Sequence, residues 1–291
     1  MRDGSTVLAV PVELYRAVRN LSVRIENDPE EMVQQQLARL RFMLERLPLN
    51  GSSILEFGCG SGLNAAYLLE HASISRYVGF DFSSDAVALA RTQYPTIEFL
   101  QGDGCDRDLN INAGHWDLVF STEVLEHVPD TDAFVANMNR HLRPGGVLFL
   151  STPNRDIFSL GHEPSPINRE HIKEPNRSEF ESLLSRHLRN YEIVGQRFSR
   201  PALLEAWKRE TERKIVMLQS GLRWPEATPE AAWKQTLRRN IVVRTLWSVV
   251  RRSILEPWRA KRALKSRPYS FADFEFSSDT SDALWFCAIG T

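Results

Sequence analysis

No stretch of this sequence approaches the roughly 18 uninterrupted apolar residues that a membrane-spanning helix needs, so we expect no such helix. Residues 1–20 also lack the basic, apolar and small-residue order of a signal peptide. Cysteine is scarce: the chain contains three, Cys59, Cys105 and Cys287. Their spacing matches no metal-binding or redox motif. These absences predict a cytoplasmic protein without a disulfide framework.

The formal net charge of −1 hides an asymmetry. Residues 234–267 carry eleven Lys and Arg and a single acid, so the rest of the chain has 25 basic against 36 acidic side chains. Within this segment, residues 243–254 form an amphipathic helical pattern with a basic face. One interpretation is a cap helix with a solvated basic face. The other is peripheral contact with an anionic membrane or a phosphate-bearing acceptor, and we expect no nucleic-acid partner.

The order of predicted elements indicates four regions. Residues 1–50 read as a helical N-terminal lid, since apolar side chains recur at three-four spacing until Pro48. Residues 51–200 alternate short apolar strands with helical stretches, which favours βαβ units and a mostly parallel sheet with helices on both faces. Residues 201–268 read as a helical insertion, and residues 269–291 as a terminal β-hairpin. The expected fold is therefore α/β with a Rossmann-like, seven-stranded sheet.

A glycine-rich turn follows the first predicted strand. Gly58, Gly60 and Gly62 let the backbone turn sharply and let a ligand approach it closely. The dinucleotide pattern G-x-G-x-x-G would need a glycine at Leu63. The acid at the strand end, Glu56, would repel a pyrophosphate and attract an aminoacyl cation. The turn thus favours a ligand other than a nicotinamide dinucleotide.

Two more acids follow the next predicted strands. Asp81 ends the second strand, where a carboxylate can accept from both hydroxyls of a ribose. Asp103 ends the third strand beside Gly102 and Gly104, where a carboxylate can accept from an exocyclic amine. Because parallel strands end at the same edge of a sheet, we expect these acids to share one crevice with the glycine turn.

As a set, these motifs resemble class I S-adenosylmethionine-dependent methyltransferases, in the small-molecule, sugar and quinone O-methyltransferase branch. The resemblance covers about half of the chain, and its segments appear in that family's order: LEFGCGSG, GFDFS, QGDG, WDLVFSTEVLEHVPD and LRPGGVLFLSTPN. It implies S-adenosylmethionine as cofactor and S-adenosylhomocysteine as product. The cofactor-binding residues that it implies are Glu56, Gly58, Cys59, Gly60, Asp81, Phe82, Gly102, Asp103, Gly104, Thr122 and Glu123.

Methyl transfer from a sulfonium mainly requires alignment, and an oxygen acceptor also benefits from a general base. His127 is the first candidate base, because it follows the fourth strand and its ordinary pKa suits neutral pH. The alternative is that it only orients its loop. His171 is the second candidate, in a Pro-rich loop that also contains His162 and Glu174. Its NREHIKE element resembles methyltransferases of surface-glycan or natural-product sugar pathways.

The predicted activity is O-methylation of a hydroxyl on a small-molecule or glycan-type acceptor. Glu123, Glu126, His127 and a downstream His also resemble the metal cluster of small-RNA 2′-O-methyltransferases and residues of metal-assisted quinone methyltransferases. An RNA 2′-O-methyltransferase and a metal-assisted quinone O-methyltransferase are therefore the alternatives. Spacing alone does not show that these side chains converge, so we assign no metal ligand from the sequence.

Overall fold

A computed structural model describes residues 29–165, 167–168, 170–220 and 271–291. Several predictions fall on the other residues and are not tested by it: most of the N-terminal lid, the insertion beyond residue 220, and the basic segment 234–267. Within the described residues, no helix combines the length and the apolar character that crossing a membrane requires.

Helices and strands alternate along the described chain, as the sequence pattern predicts. The helices are α1 (Pro29–Arg46), α2 (Leu63–His71), α3 (Ser84–Gln93), α4 (Thr131–His141), the single turn α5 (Arg155–Phe158), α6 (Arg177–His187) and α7 (Pro201–Gln219). The strands are β1 (Ser53–Phe57), β2 (Arg76–Asp81), β3 (Glu98–Gln101), β4 (Trp116–Thr122), β5 (Leu142–Pro153), β6 (Tyr191–Phe198), β7 (Phe274–Ser277) and β8 (Trp285–Gly290).

All eight described strands form one sheet in the order β3-β2-β1-β4-β5-β8-β6-β7. Strands β1 to β5 run parallel, whereas β8 is antiparallel to both of its neighbours. The strand order reverses between β1 and β4, and open α/β sheets bind ligands beyond the carboxyl ends of strands at such a point. The fold therefore places its crevice where the glycine turn and the acids were predicted to meet.

The sheet is covered on both faces, which explains why its central strands are mostly apolar. On one face, α4 and α6 bury Phe134, Met138 and Phe180. On the other, α1, α2 and α3 contribute to a second cluster that contains Met43 and Leu68. Helix α1 thus packs against the sheet through its apolar side and is part of the core.

The predicted seven-stranded sheet and terminal hairpin need correction. The described residues form eight strands, and β7 and β8 do not pair with each other because β6 lies between them. The connection between β7 and β8 passes over β6 at Gly195, where an added Cβ would collide with Ala283. The glycine at this position therefore lets the chain cross, which a pattern of two consecutive strands cannot indicate.

Candidate functional site

A cavity of about 720 Å³ opens at the carboxyl ends of the parallel strands. Ten of the residues predicted from the sequence line it: Gly58, Gly60, Asp81, Phe82, Asp103, Gly104, Thr122, Glu123, His127 and His171. Three predicted residues, Glu56, Cys59 and Gly102, are not part of this lining. The structure therefore brings together both predicted histidines and most of the predicted cofactor residues.

The Asp81 carboxylate fixes the shape of the glycine turn. Its Oδ2 accepts from the backbone N–H of Gly60 at 2.8 Å, and its Oδ1 accepts from that of Ser83 at 2.8 Å. Gly58 has a φ of +80°, and a Cβ there would collide with Val124. The turn and the acid are thus one preformed unit at the ends of β1 and β2.

Glu56 lies beneath this turn and is completely buried. Its carboxylate accepts from Asn64 Nδ2 at 2.6 Å and from the Tyr77 hydroxyl at 2.5 Å. Asn64 also receives a hydrogen bond from Gln36 and donates one to Thr122. Burial raises the pKa of Glu56 to about 7, despite these two hydrogen bonds. The carboxyl therefore supports the turn from below through a polar network.

Cys59 and Gly102 do not line the cavity but contribute to the structure around it. Cys59 is buried, and burial raises the pKa of its thiol far above the usual range. The backbone N–H of Gly102 donates to the Asp81 carbonyl at 3.0 Å, and a Cβ on Gly102 would lie 3.0 Å from the Phe80 ring. Both residues therefore shape the backbone around the cavity.

The third strand end supplies Asp103 and Gly104. Asp103 Oδ1 accepts from the backbone N–H of Cys105 at 2.9 Å, which orients the carboxylate. A Cβ on Gly104 would lie 2.7 Å from two ring carbons of Phe134, so this position has no room for a side chain. Phe82, at the rim, exposes 74% of its surface and offers a flat apolar face.

Glu126, His127 and His171 converge on the same cavity, although the last is more than forty residues away in the chain. Oε1 of Glu126 lies 4.0 Å from Nε2 of His127 and 4.0 Å from Nε2 of His171. The two imidazole rings meet edge to face with centroids 4.7 Å apart. The backbone carbonyl of Glu126 accepts from the N–H groups of Ile172 and Lys173, which ties the two loops together.

Burial dominates the electrostatics of this cluster. It raises the pKa of Glu126 well above the usual range, and the neighbouring charge of Glu123 acts in the same direction. Burial also lowers the pKa of His127 to about 4, with a further lowering contribution from His171. His127 is therefore neutral near pH 7. The other oxygen of Glu126, Oε2, accepts a hydrogen bond from the Thr152 hydroxyl at 3.1 Å. Thr152 lies within the segment LRPGGVLFLSTPN, but nothing in that segment indicates that its hydroxyl contacts Glu126.

These three side chains are a group among the described residues that could hold a metal ion. Oε1 of Glu126 is buried without a hydrogen-bond partner. Nδ1 of His127 faces the Glu170 carbonyl at 3.0 Å and Nδ1 of His171 faces Glu174 at 2.5 Å, which leaves both Nε2 atoms for the cavity. Two imidazoles and a carboxylate suit a divalent transition-metal ion, so these three side chains are chemically suited to bind one.

Glu123 stands apart from this cluster. It has a φ of +57°, and its Oε1 accepts from Ser151 Oγ at 3.1 Å and lies 3.6 Å from a guanidinium nitrogen of Arg39. Arg39 is buried on α1, stacks over Trp285 at 5.3 Å and donates to Gln196 at 2.8 Å. Helix α1 thus pairs one acid of the cavity with a buried cation.

The remaining wall contains residues that sequence reasoning missed, among them Gln35 of α1, Phe158 of α5 and Trp285 of β8. Phe158 packs against Trp285 and Trp207 with ring centroids 5.7 and 5.1 Å apart. The run around Trp285 reads as core, and nothing in it signals a cavity. His162, named with His171 in the sequence, is exposed and outside the described lining.

Comparisons with known proteins agree with this geometry. A family model described as "Methyltransferase domain" matches residues 29–210. The chain is 37% identical over 134 residues to a Mycolicibacterium smegmatis protein named "Probable S-adenosylmethionine-dependent methyltransferase", covering 46% of this chain and 50% of that one. It is 32% identical over 122 residues to a Coxiella burnetii ubiquinone biosynthesis O-methyltransferase, covering 41% and 51%. The chain therefore spans about half the length of these curated relatives.

A solved structure shows the same fold over most of the chain. It is a Thermotoga maritima protein described as a methyltransferase dependent on S-adenosylmethionine and a possible histamine N-methyltransferase. It aligns with a TM-score of 0.53 at 14% identity, covering 89% of this chain and 91% of that one. At this identity the similarity concerns the fold alone.

Proposed function

The chain belongs to the S-adenosylmethionine-dependent methyltransferases, and on this premise we propose that it methylates a hydroxyl group of a small-molecule or glycan-type acceptor. The observation that supports this proposal is the Glu126, His127 and His171 cluster, which opens onto the same cavity as the cofactor residues. A hydroxyl must lose its proton on methylation, and the imidazole of His171 in this cluster can accept one.

We infer that the predicted cofactor residues contact different parts of the cofactor. In the proposal, the turn at Gly58 and Gly60 holds the methionine moiety, because its backbone has no side chain to obstruct the ligand. Asp81 accepts from the ribose hydroxyls, and Asp103 with Gly104 holds the adenine. Both carboxylates are already oriented by backbone N–H groups. Little reorganisation is then needed when the cofactor binds.

The step itself breaks the sulfonium–methyl bond and forms an oxygen–methyl bond, with the hydroxyl proton passing to a base of the chain. His171 is better placed for this than His127, which was the first candidate. The pKa of about 4 makes His127 a weak proton acceptor. His171 instead has the Glu174 carboxylate at its Nδ1, and a carboxylate there stabilises the charge that the ring acquires.

A specific observation also favours metal assistance, since Glu126 Oε1 is buried without a partner between two imidazole nitrogens. A divalent ion held by Glu126, His127 and His171 would supply Lewis acidity that lowers the pKa of a hydroxyl bound to it. In either case the three side chains orient the acceptor oxygen, and the apolar wall of Phe158 and Trp285 limits water.

The test uses the full chain, S-adenosylmethionine with a deuterated methyl group, and mass spectrometry of an acceptor panel. The panel contains ortho-dihydroxy aromatic compounds, monosaccharides, carboxylic acids and primary amines, each with and without added Mn²⁺. We expect labelled methyl groups on hydroxyl oxygens. Labelling confined to nitrogen or carboxylate acceptors would overturn the proposal, and stimulation by Mn²⁺ would favour the metal-assisted route.

A further inference from the structure

A buried chain of hydrogen bonds extends from Nδ1 of His171 through Glu174 to two serines. Glu174 is 2% exposed, and its carboxylate contacts His171 Nδ1 at 2.5 Å through one oxygen and the Ser159 hydroxyl at 2.5 Å through the other. Ser159 Oγ is also 2.8 Å from Ser165 Oγ, which accepts weakly from the backbone N–H of Ile167 at 3.3 Å. Each oxygen of this carboxylate therefore has a hydrogen-bond partner, and the Ser159 hydroxyl holds the carboxylate in position.

The same arrangement fixes the protonation pattern of the His171 ring. A carboxylate oxygen accepts a hydrogen bond, so Nδ1 of His171 carries the proton. Nε2 is then an unprotonated lone pair. Oε1 of Glu126 lies 4.0 Å from it, which is too long for a hydrogen bond, and is itself without a partner. The lone pair is therefore free on the cavity side.

Packing holds the ring in this orientation. Phe158 stacks along one side of the His171 ring at 5.9 Å with an interplanar angle of 27°, and His127 meets it edge to face at 4.7 Å. His127 differs in its own support, because its Nδ1 faces a neutral backbone carbonyl of Glu170. Of the two imidazoles on the cavity, only His171 is backed by a buried carboxylate among the described contacts.

We propose that Glu174 is a positioning residue that holds His171 in the Nδ1–H tautomer, with its Nε2 lone pair directed at the methyl acceptor. The proposal rests on the proposed function in one respect, that His171 acts on the acceptor hydroxyl. A residue that merely anchored the loop would stabilise the fold without setting the tautomer, and this difference can be measured.

The experiment records nitrogen-15 NMR spectra of the histidine side chains in the full chain bound to S-adenosylhomocysteine. We expect wild-type His171 to show the Nδ1–H tautomer. Glu174→Gln keeps an acceptor of the same size and should preserve that signature, whereas Glu174→Met removes the acceptor and should bring in the Nε2–H form. Glu181→Met changes an exposed carboxylate on α6 and is the matched control.

Turnover on a hydroxyl acceptor is the second readout. We expect Glu174→Met to lower kcat at least about tenfold with an unchanged KM for S-adenosylmethionine, and Glu174→Gln to restore most of it. Wild-type His171 in the Nε2–H form, or a folded Met variant that keeps only Nδ1–H, would overturn the proposal. The wild-type spectrum can overturn the proposal even if the Met variant does not fold. It requires no turnover, so a failure of the proposed function would be recognised separately.

Discussion

Replacing Glu56 with Gln should remove a pH dependence of stability that the native chain carries. Burial raises the pKa of this carboxyl from its usual value of 4.5 to about 7 in the folded state. As pH rises above about 4.5, the unfolded chain loses this proton while the folded chain keeps it, so the folded state is progressively disfavoured until about pH 7. A difference of about 2.5 pKa units corresponds to about 3 kcal/mol.

The Gln side chain fits the same environment. Its amide oxygen can accept from Asn64 Nδ2, and its NH₂ group can donate to the Tyr77 oxygen, so both hydrogen bonds survive without a charge. We therefore expect Glu56→Gln to resemble the wild type at pH 4.5 and to exceed it at pH 8 by up to about 3 kcal/mol. For a chain of 291 residues that corresponds to about 5 °C in Tm.

Thermal and urea unfolding between pH 4.5 and 8, followed by circular dichroism, would measure this effect. Glu70→Gln, which alters an exposed carboxyl on α2, controls for the change of net charge. Parallel stability curves for Glu56→Gln and wild type across this range would refute the reasoning, because they would show that Glu56 ionises alike in both states. Titration calorimetry with S-adenosylhomocysteine on the same variant would test whether Glu56 also binds the cofactor, as the sequence predicts.

Three further changes test the cavity. Asp81→Asn should weaken S-adenosylhomocysteine binding at least about tenfold in calorimetry, since one charged acceptor of backbone N–H groups is lost; unchanged affinity would contradict its role. Gly104→Ala should lower the free energy of unfolding by about 1–3 kcal/mol in urea titrations, because its Cβ meets the Phe134 ring. His171→Ala should lower kcat on a hydroxyl acceptor on the order of tenfold more than His127→Ala, and the reverse order would restore His127 as the base.

The part of the cavity lining that lies at the strand ends could be predicted because its residues are local in sequence. Each predicted acid or glycine lies at the end of an apolar strand or in the turn after it, and parallel strands end at one edge of a sheet. Glu56 shows the limit of this rule. A strand end indicates which edge a residue reaches, but not whether its side chain faces the ligand or a neighbour such as Tyr77, which belongs to the next strand.

The rest of the cavity lining could not be predicted in the same way, because its parts are far apart in the chain. Gln35, His171 and Trp285 come from a helix, a loop and the last strand, and only the fold brings them to one cavity. The cluster of Glu126, His127 and His171 is also assembled only by the fold. The motif around Glu126 and His127 is visible in the sequence, but the position of His171 depends on how a long loop packs.

Arg39 shows how the two sides of the cavity are connected. Its buried guanidinium contacts both Glu123, which follows β4, and Trp285 of β8, and both of these residues line the cavity. A buried charge is costly unless it is paired, so the buried guanidinium of Arg39 requires an acidic partner, which the partly exposed Glu123 supplies. Helix α1 thereby connects two residues of the cavity lining through one buried side chain. A change of acceptor within this fold would then have to preserve the pairing of Arg39 while altering the side chains around it.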